Sequence, residues 1–398
     1  MKILYIHQYF KTPNEPGGTR SYWMAKELIN NGHEVIMITS TTLDGTNRQE
    51  KMIDDIRVIY LKEEYHQKMS IAKRLNSFLG FVWKSTKEAK KYQNIDLVIA
   101  TSTPLTVGIP ALYLKWFKKI PYIFEVRDLW PEVPIQMGAI KNTALICLTR
   151  LFEKTIYKNA KHVIALSPGM QDGVKKYILK EKTSMIPNMA KKDKFWPRNK
   201  DVVLEKKLGL KPNSFKVTHF GALGLANGAN TIIESAKFLK DDDTVEFLFV
   251  GGGATEEELK KECQKNRLEN VKFLGSFPMK ETSEIVNLSD ISIVSFKDLP
   301  ILYTNSPNKL FDSLSAGKPI IVNSAGWTKD MVEKYNCGYY VDPNQPQDLV
   351  DKVKYLQNHH NIIKVMGLNS RKLAEEKYDK SILSKQFAEV VRGVSVKE

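Results

Sequence analysis

The chain is poor in cysteine. Cys147, Cys263 and Cys337 are its only three among 398 residues, far apart and without metal-ligand spacing. So sparse and odd a set excludes a disulfide framework and fits a reducing compartment. Acid is scarce beside base, with 45 Asp and Glu against 60 Lys and Arg and a formal charge of +15. No apolar run is long enough to span a bilayer. The first residues, KILYIHQYF, enter a strand-like run instead of a basic, apolar and cleavable leader. A cytoplasmic location, at most peripheral to the inner face of the cell membrane, is therefore expected. No His-Glu-x-x-His, Walker loop, Gly-x-Ser-x-Gly elbow or Gly-x-Gly-x-x-Gly fingerprint occurs, which removes the enzyme classes built on them. His359-His360 sits in a polar stretch and reads as exposed. Base is spread along the chain without a DNA or RNA module, so no nucleic-acid partner is expected. No metal and no cofactor are expected either.

What the chain has is alternation. Strand-like runs at 3–9, 35–39, 58–61, 97–100, 122–126, 163–166 and 184–186 enclose helical stretches at 19–31, 70–91, 106–118, 142–159 and 168–177. A second series has strands at 217–220, 246–250, 271–274, 291–294, 320–322 and 338–341. Its helices fall at 228–239, 255–266, 279–287, 307–316, 327–335 and 346–356. Such alternation predicts parallel sheets covered by helices on both faces. The predicted fold class is α/β with two Rossmann-like domains, 1–190 and 213–380, joined by a lysine- and proline-bearing connection at 191–212.

The segment 306–322, SPNKLFDSLSAGKPIIV, is the most informative. Ser306 and Pro307 suit a helix start, the hydroxyl as cap and proline in the first turn. Gly317 suits the C′ position, and Lys318-Pro319 prevents continuation. Free amides at the helix start, with Asn308 and Lys309 beside them, suit a phosphate or diphosphate. Asp312, one turn on, suits sugar hydroxyls better than an anion.

Other loops follow strands in the same way. Gly17 and Gly18 allow close backbone approach to a ligand, Thr19 can cap the next helix, and Arg20 in its first turn suits an anion. Glu125-Val-Arg-Asp-Leu-Trp-Pro-Glu132 gathers charge at a strand's C-terminal end, where ligands bind in open α/β sheets. Arg127 and Asp128 there read equally as an ion pair. Gly221, Gly224 and Gly228 suit an anion nest. Gly251, Gly252 and Gly253 suit a close wall against a ligand.

These ordered motifs resemble the family-4 retaining glycosyltransferases of GT-B fold. That resemblance implies two domains facing across a cleft, with about 381–398 crossing back to an acceptor-binding first domain. The second domain would bind the nucleotide sugar. It implies Asp312 as the acid that holds the donor sugar, and Gly317 and Pro319 match the motif's ending. Thr304 stands where the family often has a further glutamate. Donor contacts fall on Gly17, Gly18, Arg20, Gly221, Asn227, Gly251, Gly252, Phe277, Ser306, Asn308 and Lys309. Ala222 and Asn227 replace the family's usual Arg and Lys. Asp128 joins Asp312 as a catalytic residue, orienting an acceptor hydroxyl or the donor sugar, with Arg127 and Trp130 on the acceptor side. The Arg-Asp-Leu-Trp-Pro run resembles a subgroup that builds bacterial O-antigen and capsule and includes fucosamine transferases. The implied reaction is retaining and metal-free. It carries a sugar, of the N-acetylated amino or deoxyamino kind, from a UDP-linked donor to a glycan or polyprenyl-diphosphate-linked acceptor. A UDP-sugar 2-epimerase and a non-catalytic nucleotide-sugar-binding subunit are the alternatives.

Lysine mixes with aromatics at 81–92, 112–122 and 148–162. Those mixtures suit an anionic membrane surface or, taken singly, ordinary solvated helix faces.

Overall fold

The computed structural model describes residues 1–15, 17–42, 45–64, 69 and 71–396. Residue 70 of the expected helix at 70–91 and residues 397–398 of the returning segment lie outside them. The chain divides into two compact units, one of Met1–Pro13, Gly17–Pro187 and Ser381–Glu398, the other of Asn14–Pro16 and Asn188–Lys380.

The first unit carries β1 (Lys2–Ile6), β2 (Glu34–Thr41), β3 (Arg48–Ile53), β4 (Ile56–Lys62), β5 (Leu97–Thr101), β6 (Tyr122–Val126), β7 (His162–Ala165) and β8 (Thr183–Met185). They form one sheet in the order β3-β4-β2-β1-β5-β6-β7-β8. β5 and β6 are buried throughout, as continuous apolar runs require when both faces are covered. All pairs are parallel except β3 with β4. β3 was not expected. Its sequence, RQEKMI, is exposed and has no apolar alternation, so the hairpin turn fixes it rather than burial. Asp54 and Asp55 both hold positive φ, 47° and 66°, the backbone a two-residue hairpin needs. Order reverses between β1 and β5, which makes their C-terminal ends the switch point of this sheet.

The helix Lys380–Val396 completes the first unit. Leu383, Phe387 and Val391 are buried, and the Phe387 ring stacks on Tyr5 of β1 at 6.4 Å.

The second unit carries β9 (Phe215–Phe220), β10 (Val245–Val250), β11 (Val271–Gly275), β12 (Ile291–Val294), β13 (Ile320–Val322) and β14 (Gly338–Tyr340). They run parallel in the order β11-β10-β9-β12-β13-β14. This is the doubly wound order, with its switch point between β9 and β12. Residues expected as a connection at 191–212 are part of this unit. Phe195 is buried and its ring faces Phe220 at 6.3 Å, and Asp201 caps the helix Val202–Lys207. The lysines and prolines there mark turns and solvated faces, not a linker.

Candidate functional site

Beside the second unit's switch point the ends of β9, β10 and β11 lie side by side, β9 and β10 continuing into Gly221 and Gly251 and β11 ending on Gly275. The Gly221 amide donates to Val250 O at 2.8 Å and the Gly251 amide to Gly275 O at 2.7 Å. A Cβ on Gly251 would lie 2.0 Å from Gly221 O, and φ there is 130°, so only glycine fits. The pairing corrects one expectation. The Gly221 and Gly251 amides are taken up inside the sheet, as is Leu223 N–H on Gly252 O at 2.9 Å. Among the described residues the Ala222 and Gly224 amides have no intramolecular acceptor, so they are the ones free to meet an anion. Gly252 lies where a Cβ would be 2.9 Å from Glu256 Oε2.

Asn227 serves the loop itself. Its side-chain N–H donates to Ala222 O at 2.6 Å, and its carbonyl accepts from Ser295 Oγ at 2.7 Å. One N–H of its side chain is thus committed within the loop. Phe277 packs on the cluster of Phe195, Phe220, Val250, Ile285, Val286 and Ala316, leaving backbone as its means of meeting a base.

The helix Asn308–Ser315 begins after Pro307 with no side-chain cap. The expected cap fails because Ser306 is engaged elsewhere: Asn188 N–H donates to Ser306 Oγ at 3.1 Å and Asn188 Nδ2 to Ser306 O at 2.5 Å. The helix start, with half-buried Asn308 first, thus keeps its free amides and positive dipole end. It closes as expected. Gly317 holds φ 63°, and Gly317 N–H and Lys318 N–H donate to Leu314 O and Ser313 O at 3.0 and 3.1 Å, the Schellman pattern.

Lys309, 9 % exposed, reaches back to the strand end. Its Nζ donates to His219 Nε2 at 3.2 Å and lies 5.9 Å from the Phe296 ring centre. No carboxylate pairs with it among the described residues. Burial pulls its pKa down to about 7. Burial and the neighbouring Lys309 hold His219 well below the usual imidazole range, so the ring is neutral and accepts at Nε2. Its Nδ1 lies 3.4 Å from Ser295 Oγ. A Cβ on Gly221 would sit 3.8 Å from Lys309 Cε. A buried cation without an acid, uncapped helix amides and two outward loop amides thus converge on the β9 end.

Asp312 is 8 % exposed and bound to Lys191, whose Nζ lies 2.6 Å from Oδ1. Burial raises its pKa, opposed by Lys191. Lys191 was missed because its sequence context is that of an apparent linker. Its own amide donates to Ser315 Oγ at 3.0 Å, fixing it to the same helix.

The first unit has a matching arrangement at its own switch point. His7 follows β1, buried and held well below the usual imidazole range by burial and then by Arg127. Its Nδ1 lies 2.9 Å from Ser21 Oγ, and Arg127 donates to its Nε2 at 3.2 Å. Arg127 forms no salt bridge with Asp128 or any other acid among the described residues, so the ion-pair reading fails. Asp128 accepts from Thr103 Oγ1 at 2.8 Å. Burial raises its pKa, with Thr103 and Arg127 opposing. Trp130 meets Phe78 edge-on at 6.5 Å.

Arg20 corrects another expectation. It is 1 % exposed. Its Nε donates to Glu125 Oε2 at 3.1 Å, its other nitrogens to the carbonyls of Ile186 and Pro187. A guanidinium so committed is a core strut and not an anion ligand. Thr19 accepts from Trp23 Nε1 at 3.1 Å and does not cap its helix. Gly17 keeps its φ of 129°, and Gly18 beside it is half-buried.

Comparison with known proteins agrees with this architecture. The model for glycosyl transferases group 1 matches residues 203–373, and that for glycosyltransferase family 4 matches residues 17–193. A Pseudomonas aeruginosa protein named "Probable glycosyltransferase WbjE" is 22% identical over 79% of this chain and 78% of its own. The Escherichia coli UDP-Gal:alpha-D-GlcNAc-diphosphoundecaprenol alpha-1,3-galactosyltransferase is 26% identical over 49% of this chain and 50% of its own. Among solved structures, Anabaena HepE in complex with UDP and glucose superposes with TM-score 0.75 at 20% identity, covering 98% of this chain and 99% of that one. With one family model on each unit and the doubly wound sheets both require, the chain belongs to the group 1, family 4 glycosyltransferases of GT-B fold.

Proposed function

We propose that this glycosyltransferase moves a sugar from a UDP-linked donor to a lipid-linked glycan acceptor in bacterial surface polysaccharide synthesis, with retention at the anomeric carbon. The observation that carries the reading is Lys309, a buried cation at the switch point whose nearest partner is a neutral histidine. Burying an unpaired charge is costly, and a diphosphate would remove that cost. The Ala222 and Gly224 amides and the start of the helix Asn308–Ser315 add donors aimed at the same charge. Charge developing on the departing diphosphate is what such donors stabilise. The acceptor hydroxyl oxygen bonds to the anomeric carbon as the bond from that carbon to the phosphate oxygen breaks, and the hydroxyl's proton passes to that departing phosphate oxygen. Asp128 orients that hydroxyl, and Asp312 holds a donor-sugar hydroxyl. HepE, solved with UDP and glucose, supports the donor class, and the E. coli undecaprenol-linked relative supports the acceptor class. Lys309 and the amides carry the diphosphate's charge without a divalent ion in this reading.

The test is incubation with UDP-sugars, amino and deoxyamino sugars among them, and a polyprenyl-diphosphate-linked saccharide, with and without EDTA. UDP release that needs the acceptor, survives EDTA and yields an axial linkage from an axial donor supports the whole reading. Binding of UDP without transfer to any acceptor would reduce the protein to a nucleotide-binding subunit. An inverted product would overturn retention.

A further inference from the structure

We infer that three adjacent helices of the first unit form a face that docks on an anionic phospholipid bilayer. The helix Gly108–Lys118 packs against both Ile71–Ala89 and Thr143–Asn159. Large apolar side chains point outward from all three: Trp83, Phe117, Leu148 and Leu151 each expose more than half of their surface. The first two turns of Thr143–Asn159 are mostly exposed, so this helix carries apolar side chains into solvent.

Charge selects the occupant. The three helices contain two acids, Glu88 and Glu153, and both are buried. Their outward charges are cationic, Lys87, Lys154 and Lys158 among them. Near by, Glu132 is matched by Arg150 at 2.7 Å and Asp172 by Lys175 at 3.0 Å, and Glu181 stands between Lys180 and Lys182, outnumbered by the lysines around it. At the C-terminal end of Thr143–Asn159 an open pocket of about 450 Å³ is lined by Lys158, Lys175, Lys176 and Lys182, with exposed Leu179 on its wall. Of those four lysines only Lys175 has an acid partner among the described residues. Exposed apolar groups interleaved with unopposed cations match acyl chains beneath phosphate headgroups. A second copy of the chain fits worse, since a self-complementary contact would set these cations against each other. Lys84 and Lys118 are poor probes of this face. Lys84 pairs with Glu63 at 2.6 Å, and Lys118 donates to Lys90 O at 2.8 Å.

This inference rests on the surface of the first unit and not on the proposed transfer. The test is co-sedimentation of the full chain with vesicles of phosphatidylglycerol and phosphatidylcholine, against phosphatidylcholine alone, at near-physiological salt. Neither vesicle carries donor or acceptor, so failure here leaves the transferase reading intact. Binding to the anionic vesicles only is expected. Leu148→Glu/Leu151→Glu and Lys158→Glu/Lys176→Glu should each lower it at least tenfold, with unchanged circular dichroism and melting temperature. Wild-type protein left in the supernatant, equal binding to both vesicles, or unaltered binding by both folded variants would overturn the inference. So would a wild-type dimer that Leu148→Glu/Leu151→Glu turns into a monomer.

Discussion

At the scale of single residues, both units use one device. A neutral, buried histidine at the end of the first strand accepts from a cation that makes no salt bridge among the described residues: His219 from Lys309, and His7 from Arg127. Histidine supplies an acceptor without neutralising the cation's charge, which stays available to a ligand. For Lys309 this has a pH signature. Its pKa is about 7 in the free protein, and a bound diphosphate would raise it. Below the free pKa the ammonium is already formed and donor affinity is highest. As pH rises above it, binding must take up a proton, and affinity falls by up to tenfold per pH unit until the complex's own pKa is passed. Calorimetry of UDP binding from about pH 6 to 9, in buffers of different ionisation enthalpy, should show proton uptake growing with pH. Lys309→Met should weaken UDP binding and abolish that uptake. Uptake unchanged in Lys309→Met would remove Lys309 from the donor site. Asp312 calls for a different variant set, because it is ion-paired with Lys191. Asp312→Asn alone leaves a buried ammonium without its charge partner, a loss of about 3–5 kcal/mol for pairs of this kind. Lys191→Met/Asp312→Leu should recover much of that stability. If the carboxylate also meets the donor, the recovered protein still loses about tenfold or more in donor affinity. A stable double variant with wild-type affinity would make the pair purely structural.

At the scale of elements, the site is a set of strand ends that only glycine allows to converge. Gly251→Ala would place a methyl 2.0 Å from Gly221 O and 2.8 Å from Gly221 C, against backbone with no flexible side chain to yield. A large fall in melting temperature is expected, and any folded remainder should bind UDP poorly because the Gly221 loop must move. Unaltered melting and affinity would show that these loops rearrange freely. The sequence shows this architecture where local chemistry and tertiary need agree. The stop at Gly317 was readable because positive φ and a following proline leave little choice. The alternating apolar runs marked the strands of both sheets apart from β3. What escaped was decided at a distance. Ser306 had the chemistry of a cap, yet Asn188, 118 positions earlier, takes its hydroxyl. Arg20 had the position of an anion ligand, yet Glu125, 105 positions later, takes its charge. β3 escaped because an exposed edge strand set by two Asp residues at positive φ has no hydrophobic period to read. His7 and His219 could have been singled out: each stands at the C-terminal end of its unit's first strand, where a ring nitrogen is useful only if something is placed against it.

At the scale of the whole molecule, the first unit is not complete until residues beyond the second unit are in place. Phe387 has no exposed surface, and its ring lies on Tyr5 in the central strand β1. The residues that cover β1 on this side therefore follow the whole second unit in sequence, from Ser381 onward. Removing Phe387 should leave a cavity under β1. Phe387→Ala is expected to cost about 3–5 kcal/mol, the range for a fully buried phenylalanine. The cost should appear in the first unit although residue 387 follows the whole second unit in sequence. Hydrogen exchange resolves this: in Phe387→Ala, protection should fall in β1, β2 and β5 and persist in β9 and β10, whose core is formed by other residues. Deleting residues 381–398 should push the same pattern further, with proteolysis confined to the first unit. UDP binding, placed here on the second unit, should outlast transfer in both variants. Uniform loss of protection across both sheets would instead mean that the two units unfold as one.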